Sequence, residues 1–353
     1  MPKPKKKYLN PGDLTILAFL AKFPAATAEA LSMLRERPAG PKSEAGGLPE
    51  ITSTAQRLRR LSVMGLIQIH AHIMTRQKHY GITDYGFELL KCDPTYHYIQ
   101  GYRGIDNLSI SRLNHHGYIS LAAAQFATPI NYYADDLGIP QVNFKQIIGE
   151  NELRSAYEVA KKELDQNRKD GSGPRRFAEW RQAEIGKALV EIKERRLEFN
   201  QLSQEYPAIL TLGSTAENAK NIHQPDLVLR LDDHLRSLEN RTAKNVLVEI
   251  ELTPKKQIDY ELAVKTFAAE LKTQLIYERI IYFSFGTQVE NYLRKADRNL
   301  GTGLFDGGKL MVLPITHRDG SIAGQGAQTR ISAQPRMTTQ VRNGILTHQP
   351  IGG

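Results

Sequence analysis

Cysteine is almost absent. Cys92 stands alone among 353 residues, so no intrachain disulfide can staple this chain, which fits a reducing cytosol. Long apolar runs are missing too. None approaches the roughly 20 residues that span a bilayer, so no membrane partner is expected and a cytoplasmic location is. The opening MPKPKKKYLN is basic without an apolar h-region, which argues against a secretory signal. No GxxxxGK[ST] loop occurs, which argues against ATP use, and no Ser/His/Asp arrangement can be assigned. Negative charge is in deficit: 38 Asp and Glu face 47 Lys and Arg, for a net +9. A basic chain gains affinity for a polyanion by releasing condensed counterions, so nucleic acid is the expected partner.

What is present divides the chain into four stretches. Residues 1–10 read as a basic disordered arm. Residues 11–92 read as helix, helix, helix and hairpin. PGDLTILAFLAKF begins with Asp13 as its expected N-cap, and ATAEALSMLRER begins with Thr27. A Pro/Gly-rich loop follows. EITSTAQRLRRLSVMGLI then predicts a third helix with Ile51, Ala55, Leu58 and Leu61 on one face, ended by Gly65. LIQIHAHIMT and QKHYGIT predict a hairpin, closed by DYGFELLK. That order is the order of a winged helix-turn-helix, whose third helix enters the major groove of duplex DNA. Its polar positions are Thr52, Thr54, Gln56, Arg57, Arg59 and Arg60. Arg76 and Lys78, near the hairpin tip, suit a wing that touches phosphates.

Residues 93–315 read as a second unit. A helical, charged insertion near 153–205 is interrupted by KDGSGPRR, where Arg175 and Arg176 could meet phosphate. Strands and helices then alternate: DLVLRL, NVLVEIEL, a helix from Lys256, RIIYFSF, a helix from Gly286, and KLMVLPI. Alternation of this kind predicts helices packed on a central sheet. Residues 316–353 have little apolar periodicity and read as a disordered tail.

Two of those strands carry acids where apolar residues are expected. Successive side chains of a strand alternate between faces, so Glu249 and Glu251 project together. Asp226 opens the preceding strand, and the start of one strand can lie near the end of its neighbour. Three converging carboxylates repel one another and take up protons unless a cation relieves them. A hard divalent ion, Mg²⁺ or Mn²⁺, prefers oxygen ligands and supports phosphodiester hydrolysis. Lys255 and Lys256 follow the strand, where an ammonium could act on water or on phosphate. Asp226, Glu249, Glu251 and Lys255 are thus the candidate catalytic residues.

Pro225-Asp226 followed by Glu249-Ile-Glu251 resembles the PD-(D/E)XK signature of the restriction-endonuclease-like nucleases, with Glu251 in place of the usual lysine. ENELRSAYE looks like the first helix of that core. The resemblance therefore adds Glu152 to the metal ligands Asp226, Glu249 and Glu251, with Glu150 behind it. The wider series (the helix-and-hairpin unit, LNHHGYISLA, GENELRSA, HQPDLVL, VEIELTPK) is similar to the replication-relaxation family, which includes the MobC-type plasmid relaxases. It spans roughly residues 11 to 300. It implies an N-terminal winged helix followed by a mixed-sheet nuclease-like domain. It also implies a protein of plasmids or integrated mobile elements that nicks a specific origin or transfer site, and it leaves room for a homodimer. The departure at Glu251 keeps a second expectation open: a site-specific replication or transcription factor whose nuclease domain is degenerate.

Histidines offer rival constellations. His70 and His72 share a strand face, yet they fall on the expected wing, where a structural or DNA-contacting role is the plainer reading. His115 and His116 are adjacent on a helix, about 100° apart, so one site cannot easily use both, and packing or a single hydrogen bond is expected. His223 is read as a loop histidine near Asp226. Tyr260 and Lys265 lie on the helix after the acidic strand, where Tyr260 serves packing.

Overall fold

The computed structural model describes residues 9–34, 50–72, 76–99, 101–128, 132–139, 141–197, 201–213, 222–231, 244–273, 275–324, 340–342 and 345–347. The basic arm over 1–8, the Pro/Gly-rich loop and the hairpin tip lie outside these residues, as does most of the tail beyond 324.

Helix α1 (Pro11–Lys22) begins two residues before Asp13. Asn10 is its N-cap: the Asn10 side chain accepts the Asp13 N–H at 2.9 Å, and the Asp13 carboxylate accepts the Asn10 N–H at 2.9 Å. This reciprocal box satisfies donors that a helix start leaves open, and Pro11 fits because it has no N–H to satisfy. Strand β1 (Ala26–Thr27) leads into α2 (Ala28–Met33), capped by Thr27 as expected. Helix α3 (Ile51–Val63) buries Thr54, Leu58 and Leu61, whereas Ile51 is 43% exposed. Its inward face is therefore rotated from the one expected through Ile51 and Ala55. Gly65, at φ 73°, ends the turn after it. Strands β2 (Ile67–Ala71) and β3 (Lys78–Ile82) pair antiparallel, and β1 adds to the free edge of β3. Helix α4 (Asp84–Lys91), capped by Thr83, closes this part.

Helix α5 (Ile110–Ala127) and the short α6 (Ala134–Leu137) come next. They precede β4 (Ile147–Gly149), a strand too short for its alternation to show in the sequence. Helices α7 (Glu150–Asp170), α8 (Phe177–Lys193) and α9 (Leu202–Glu205) follow, and Arg175 and Arg176 stand exposed on the turn between the first two. A small ribbon, β5 (Leu212–Gly213) with β6 (Ile222–His223), precedes β7 (Leu227–Leu231) and β8 (Lys244–Glu251). Helix α10 (Gln257–Thr273) joins β8 to β9 (Tyr277–Ser284), and α11 (Gln288–Leu300) joins β9 to β10 (Leu310–Pro314).

The result is a mixed α/β fold around a five-stranded sheet of order β10-β9-β8-β7-β4. Strands β8, β9 and β10 run parallel, which requires the crossover helices α10 and α11; β7 is antiparallel to both β8 and β4. Strand β8 is covered on both faces. Val246, Val248 and Ile250 meet the core that contains α1 and α5, while Leu247 meets Val264, Phe267 and Leu293 on the opposite face. Among the described residues no helix is long and apolar enough to cross a membrane.

One core runs across residue 92. Ile16 and Leu20 of α1 belong to the same buried cluster as Val246, Val248 and Ile281 of the sheet. A buried lysine fastens the join. Lys22, with no exposed side-chain surface, donates to Ile147 O at 2.6 Å and Phe144 O at 3.1 Å and lies 3.4 Å from Glu152 Oε1. Gly149 permits this approach: a Cβ there would stand 2.7 Å from Lys22 O. The chain after Thr316 does not leave the fold at once. Ala323 is buried and donates to Ile315 O at 2.8 Å, and Glu29 of α2 accepts the Arg318 N–H at 2.7 Å. The expected tail is thus packed through residue 324, because its polar backbone has partners on the body.

Candidate functional site

The acidic residues lie at the carboxyl end of β8, the end of a parallel strand where α/β folds commonly place ligands. Strands β7 and β8 pair Leu227 with Val248, so one step further Asp226 stands opposite Glu249. There the ladder ends, and a side chain completes it: Asp226 Oδ2 accepts the Ile250 N–H at 2.8 Å. Glu249 and Glu251 are both largely buried, at 7% and 8%. They project from β8 on one face, as strand alternation requires. The charge on Asp226 reaches both: each Glu carboxyl is held above the usual range, first by burial and then, among other influences, by this neighbouring negative charge.

Each acid has a protein cation or cation-forming ring beside it. His115, from α5, places Nε2 2.8 Å from Ile250 O and 3.4 Å from Asp226 Oδ2. His223, from β6, places Nε2 2.9 Å from Glu249 Oε1, its ring edge-on to Phe267. Lys255 Nζ lies 2.7 Å from Glu251 Oε2. Tyr260 orders the turn that carries Lys255, since its hydroxyl accepts the Lys255 N–H at 3.0 Å while its ring packs on Tyr292.

The electrostatics follow from this geometry. Burial opposes charge on His115, but the hydrogen bond and negative charge of Asp226 outweigh it and lift the ring to about 9. His223 is raised likewise: burial is overcome by the charge and hydrogen bond of Glu249. Lys255 is raised, its burial outweighed by the hydrogen bond and charge of Glu251. Burial pushes Asp226 up, yet His115 and the Ile250 N–H hold it below the ordinary carboxylate value. Each acid thus faces a base whose charged form it favours: His115 at Asp226, His223 at Glu249 and Lys255 at Glu251.

The resemblance-based ligand Glu152 does not join this array. As the third residue of α7 it turns back to accept the Gly149 N–H at 2.9 Å and faces Lys22. Glu150 comes nearer: His116 Nδ1 lies 3.2 Å from Glu150 Oε2, and the His116 ring sits 5.9 Å from that of His115. The two histidines diverge as their helical spacing requires, one to Asp226 and one to Glu150. His116 is a neutral ring, its pKa pushed down to about 3 by burial and then by the charge of His115.

The oxygen set of Asp226, Glu249 and Glu251 has the donor chemistry of a hard divalent cation. Its placement differs from the expectation: among the described residues no three His, Cys, Asp or Glu side chains are positioned to hold one metal ion. His115, His223 and Lys255 stand against the acids instead. Coordination requires Glu249 and Glu251 to turn from those partners.

Around α3, Thr52, Gln56, Arg59 and Arg60 are exposed. Two other candidates are not available for contact. Thr54 is fully buried, because it occupies the inward face of the helix. Arg57 is spent on Asp13, whose two carboxylate oxygens take its Nε and Nη2. Arg76 (at φ 53°) and Lys78 are both exposed on the hairpin. On that hairpin His70 pairs with Asp106 at 2.8 Å, while His79 is completely buried.

Sequence reasoning missed His115 as a partner of Asp226 and missed the arginines around Glu150. A signal existed: Arg112 stands three and four residues before His115 and His116, the spacing of neighbours on a helix. Compared with protein-family models, curated proteins and solved structures, the chain matches none.

Proposed function

We propose that this protein binds duplex DNA and cleaves a phosphodiester of one strand, in the manner of a plasmid or mobile-element relaxase built on a PD-(D/E)XK nuclease domain. The observation that carries the reading is the meeting of Asp226, Glu249 and Glu251 at one strand end, from two parts of the chain, beside Lys255. In this reading α1 to α4 with their hairpin are a winged helix. Thr52, Gln56, Arg59 and Arg60 face the major groove, and Arg76 and Lys78 face phosphates. The net +9 charge supplies sequence-independent affinity.

Asp226, Glu249 and Glu251 would hold Mg²⁺ or Mn²⁺, which when bound supplies Lewis-acid polarisation of phosphate and a more acidic water. Asp226 is the anchored member, fixed by the Ile250 N–H. Lys255, close to Glu251, stands where an ammonium can offset charge that develops on phosphate. It reaches from four residues further along the chain to supply the cation that the motif otherwise carries at the position of Glu251. His115 orients Asp226 while it binds the β8 backbone through Ile250 O.

A supercoiled plasmid carrying the candidate origin tests this. With Mg²⁺ or Mn²⁺ the wild type is expected to convert it to open circles, and Asp226→Ala and Glu249→Ala to do so at least about 100-fold more slowly. Equal nicking by all three proteins ends the catalytic claim.

One observation favours a second reading. Glu251 replaces the motif lysine, and every acid in the pocket already has a protein partner. A degenerate nuclease domain in a site-specific replication or transcription factor has these features. Specific binding unchanged by EDTA, with no scission, selects it.

A further inference from the structure

Beside the carboxylate pocket, three guanidinium groups converge on a single oxygen. Arg112 Nη2 lies 3.4 Å, Arg154 Nη2 3.5 Å and Arg103 Nη1 3.9 Å from Glu150 Oε1. They come from three elements: Arg112 from the first turn of α5, Arg154 from α7, and Arg103 from the segment before α5. One carboxylate oxygen cannot satisfy three forks that each carry five N–H donors. The donors are underused accordingly: Arg103 Nη1 and Arg154 Nε are buried with no hydrogen-bond partner. The charges do not cancel either. Three guanidiniums against one carboxylate leave two positive charges in excess, and His116, held neutral by burial, adds none.

The cluster is also reachable. Arg112 and Arg154 side chains are each 44% exposed, so the group opens to solvent on the side away from Glu150. It adjoins the acids through two adjacent rings, His116 at Glu150 and His115 at Asp226. A tetrahedral anion with several oxygens would pair with the exposed guanidinium groups of Arg112 and Arg154, and bidentate guanidinium–phosphate pairing is among the stronger polar contacts known.

We infer that Arg103, Arg112 and Arg154 form a phosphate subsite that seats one backbone phosphodiester of a nucleic-acid strand next to the carboxylate pocket. Glu150 keeps the three guanidiniums together before the strand arrives. The inference rests on the nucleic-acid part of the reading above and does not require scission.

The test is oligonucleotide binding by the full chain, followed by fluorescence anisotropy over a range of salt concentrations, with duplex and single-stranded probes. Arg112→Gln and Arg154→Gln are each expected to weaken binding about tenfold. They should also flatten the plot of log affinity against log salt, by about 0.9 for a duplex and about 0.7 for a single strand. Arg112→Lys, which keeps the charge, should retain the slope. Arg168→Gln, an exposed arginine of α7 paired with Asp165, controls for the loss of any positive charge and should change the slope less. Thermal melts of all variants matching the wild type exclude unfolding as the cause. Unchanged slopes in the glutamine variants, while the wild type binds, overturn the subsite and leave the strand-cleaving reading standing. Competition by inorganic phosphate alone, with no effect of the variants on oligonucleotides, also overturns it. Failure of the wild type to bind either probe at low salt sinks both. Arginine-dependent binding without any nicking supports the subsite and removes only the cleavage.

Discussion

Replacing Lys22 with Met removes the buried ammonium that joins α1 to the sheet and keeps an apolar side chain of similar length. Ile147 O and Phe144 O then lose a donor at 2.6 and 3.1 Å, and Glu152 loses a charge partner at 3.4 Å. A buried polar group without a partner costs about 1–3 kcal/mol. Two carbonyls at the low end of that range plus the orphaned carboxylate give about 3–5 kcal/mol, the usual cost of breaking one half of a buried pair. Glu152 keeps the Gly149 N–H and a side-chain exposure of 17%, which draws the expectation to about 3 kcal/mol. Urea unfolding followed by far-UV circular dichroism at pH 7 measures it. Adding Glu152→Gln should recover part of the loss, because it removes the uncompensated charge and leaves an acceptor for Gly149. Alkaline pH supplies an independent check. Burial, opposed by Glu152 and assisted by Arg230, lowers the Lys22 pKa from its ordinary 10.5. Below 10.5 the unfolded chain therefore holds this proton more tightly than the folded chain. The stability attributable to Lys22 must climb as pH rises toward that value, and Lys22→Met must lack this climb. A variant as stable as the wild type at pH 7 would refute the reasoning, since the cost of dehydrating the ammonium would then equal everything its bonds return.

Two further outcomes follow from the same physics. His79 is wholly buried, and a Cβ on Gly117 would stand 2.8 Å from its Nε2. Burial lowers this ring from 6.5 to about 4. The unfolded chain takes the proton first, so stability is lost as pH falls from 6.5 toward 4, by up to about 3 kcal/mol for that gap. Chemical denaturation at pH 7 and pH 4.5 should show a smaller difference in His79→Leu than in the wild type, and equal differences would remove His79 as the cause. Arg181, buried beside α10, makes two bonds to Glu270 at 2.8 and 3.0 Å. Glu270→Ala strands that guanidinium and should cost about 3–5 kcal/mol, read as a lowered Tm; a loss under about 1 kcal/mol, the worth of a surface pair, would show that water reaches the site.

Part of this molecule was legible in its sequence, and the reason differs from element to element. Thr27 caps a helix and Gly65 ends one because these are local hydrogen-bond and backbone preferences. The alternation of apolar residues through Val246, Val248 and Ile250 sets Glu249 and Glu251 on one face of β8 wherever that strand is placed. The exposed stripe of Thr52, Gln56, Arg59 and Arg60 could be read from helical spacing. Thr54 and Arg57 could not be separated from it. Their fate depends on which side of α3 meets α1 and on the Asp13 carboxylate waiting there.

The chain by itself determined its charge, the order of its longer strands and helices, and the sharing of a face by two glutamates, since each follows from composition or from a repeat of two or 3.6 residues. Folding in three dimensions decided which groups answer those acids. Asp226 meets His115, 111 positions earlier, only because α5 packs across the end of β8. Glu152 and Glu150, two residues apart at the start of α7, were assigned to opposite neighbours by the direction in which that helix leaves β4. A side chain's neighbours across the core depend on how whole elements pack, and no local pattern encodes that distance.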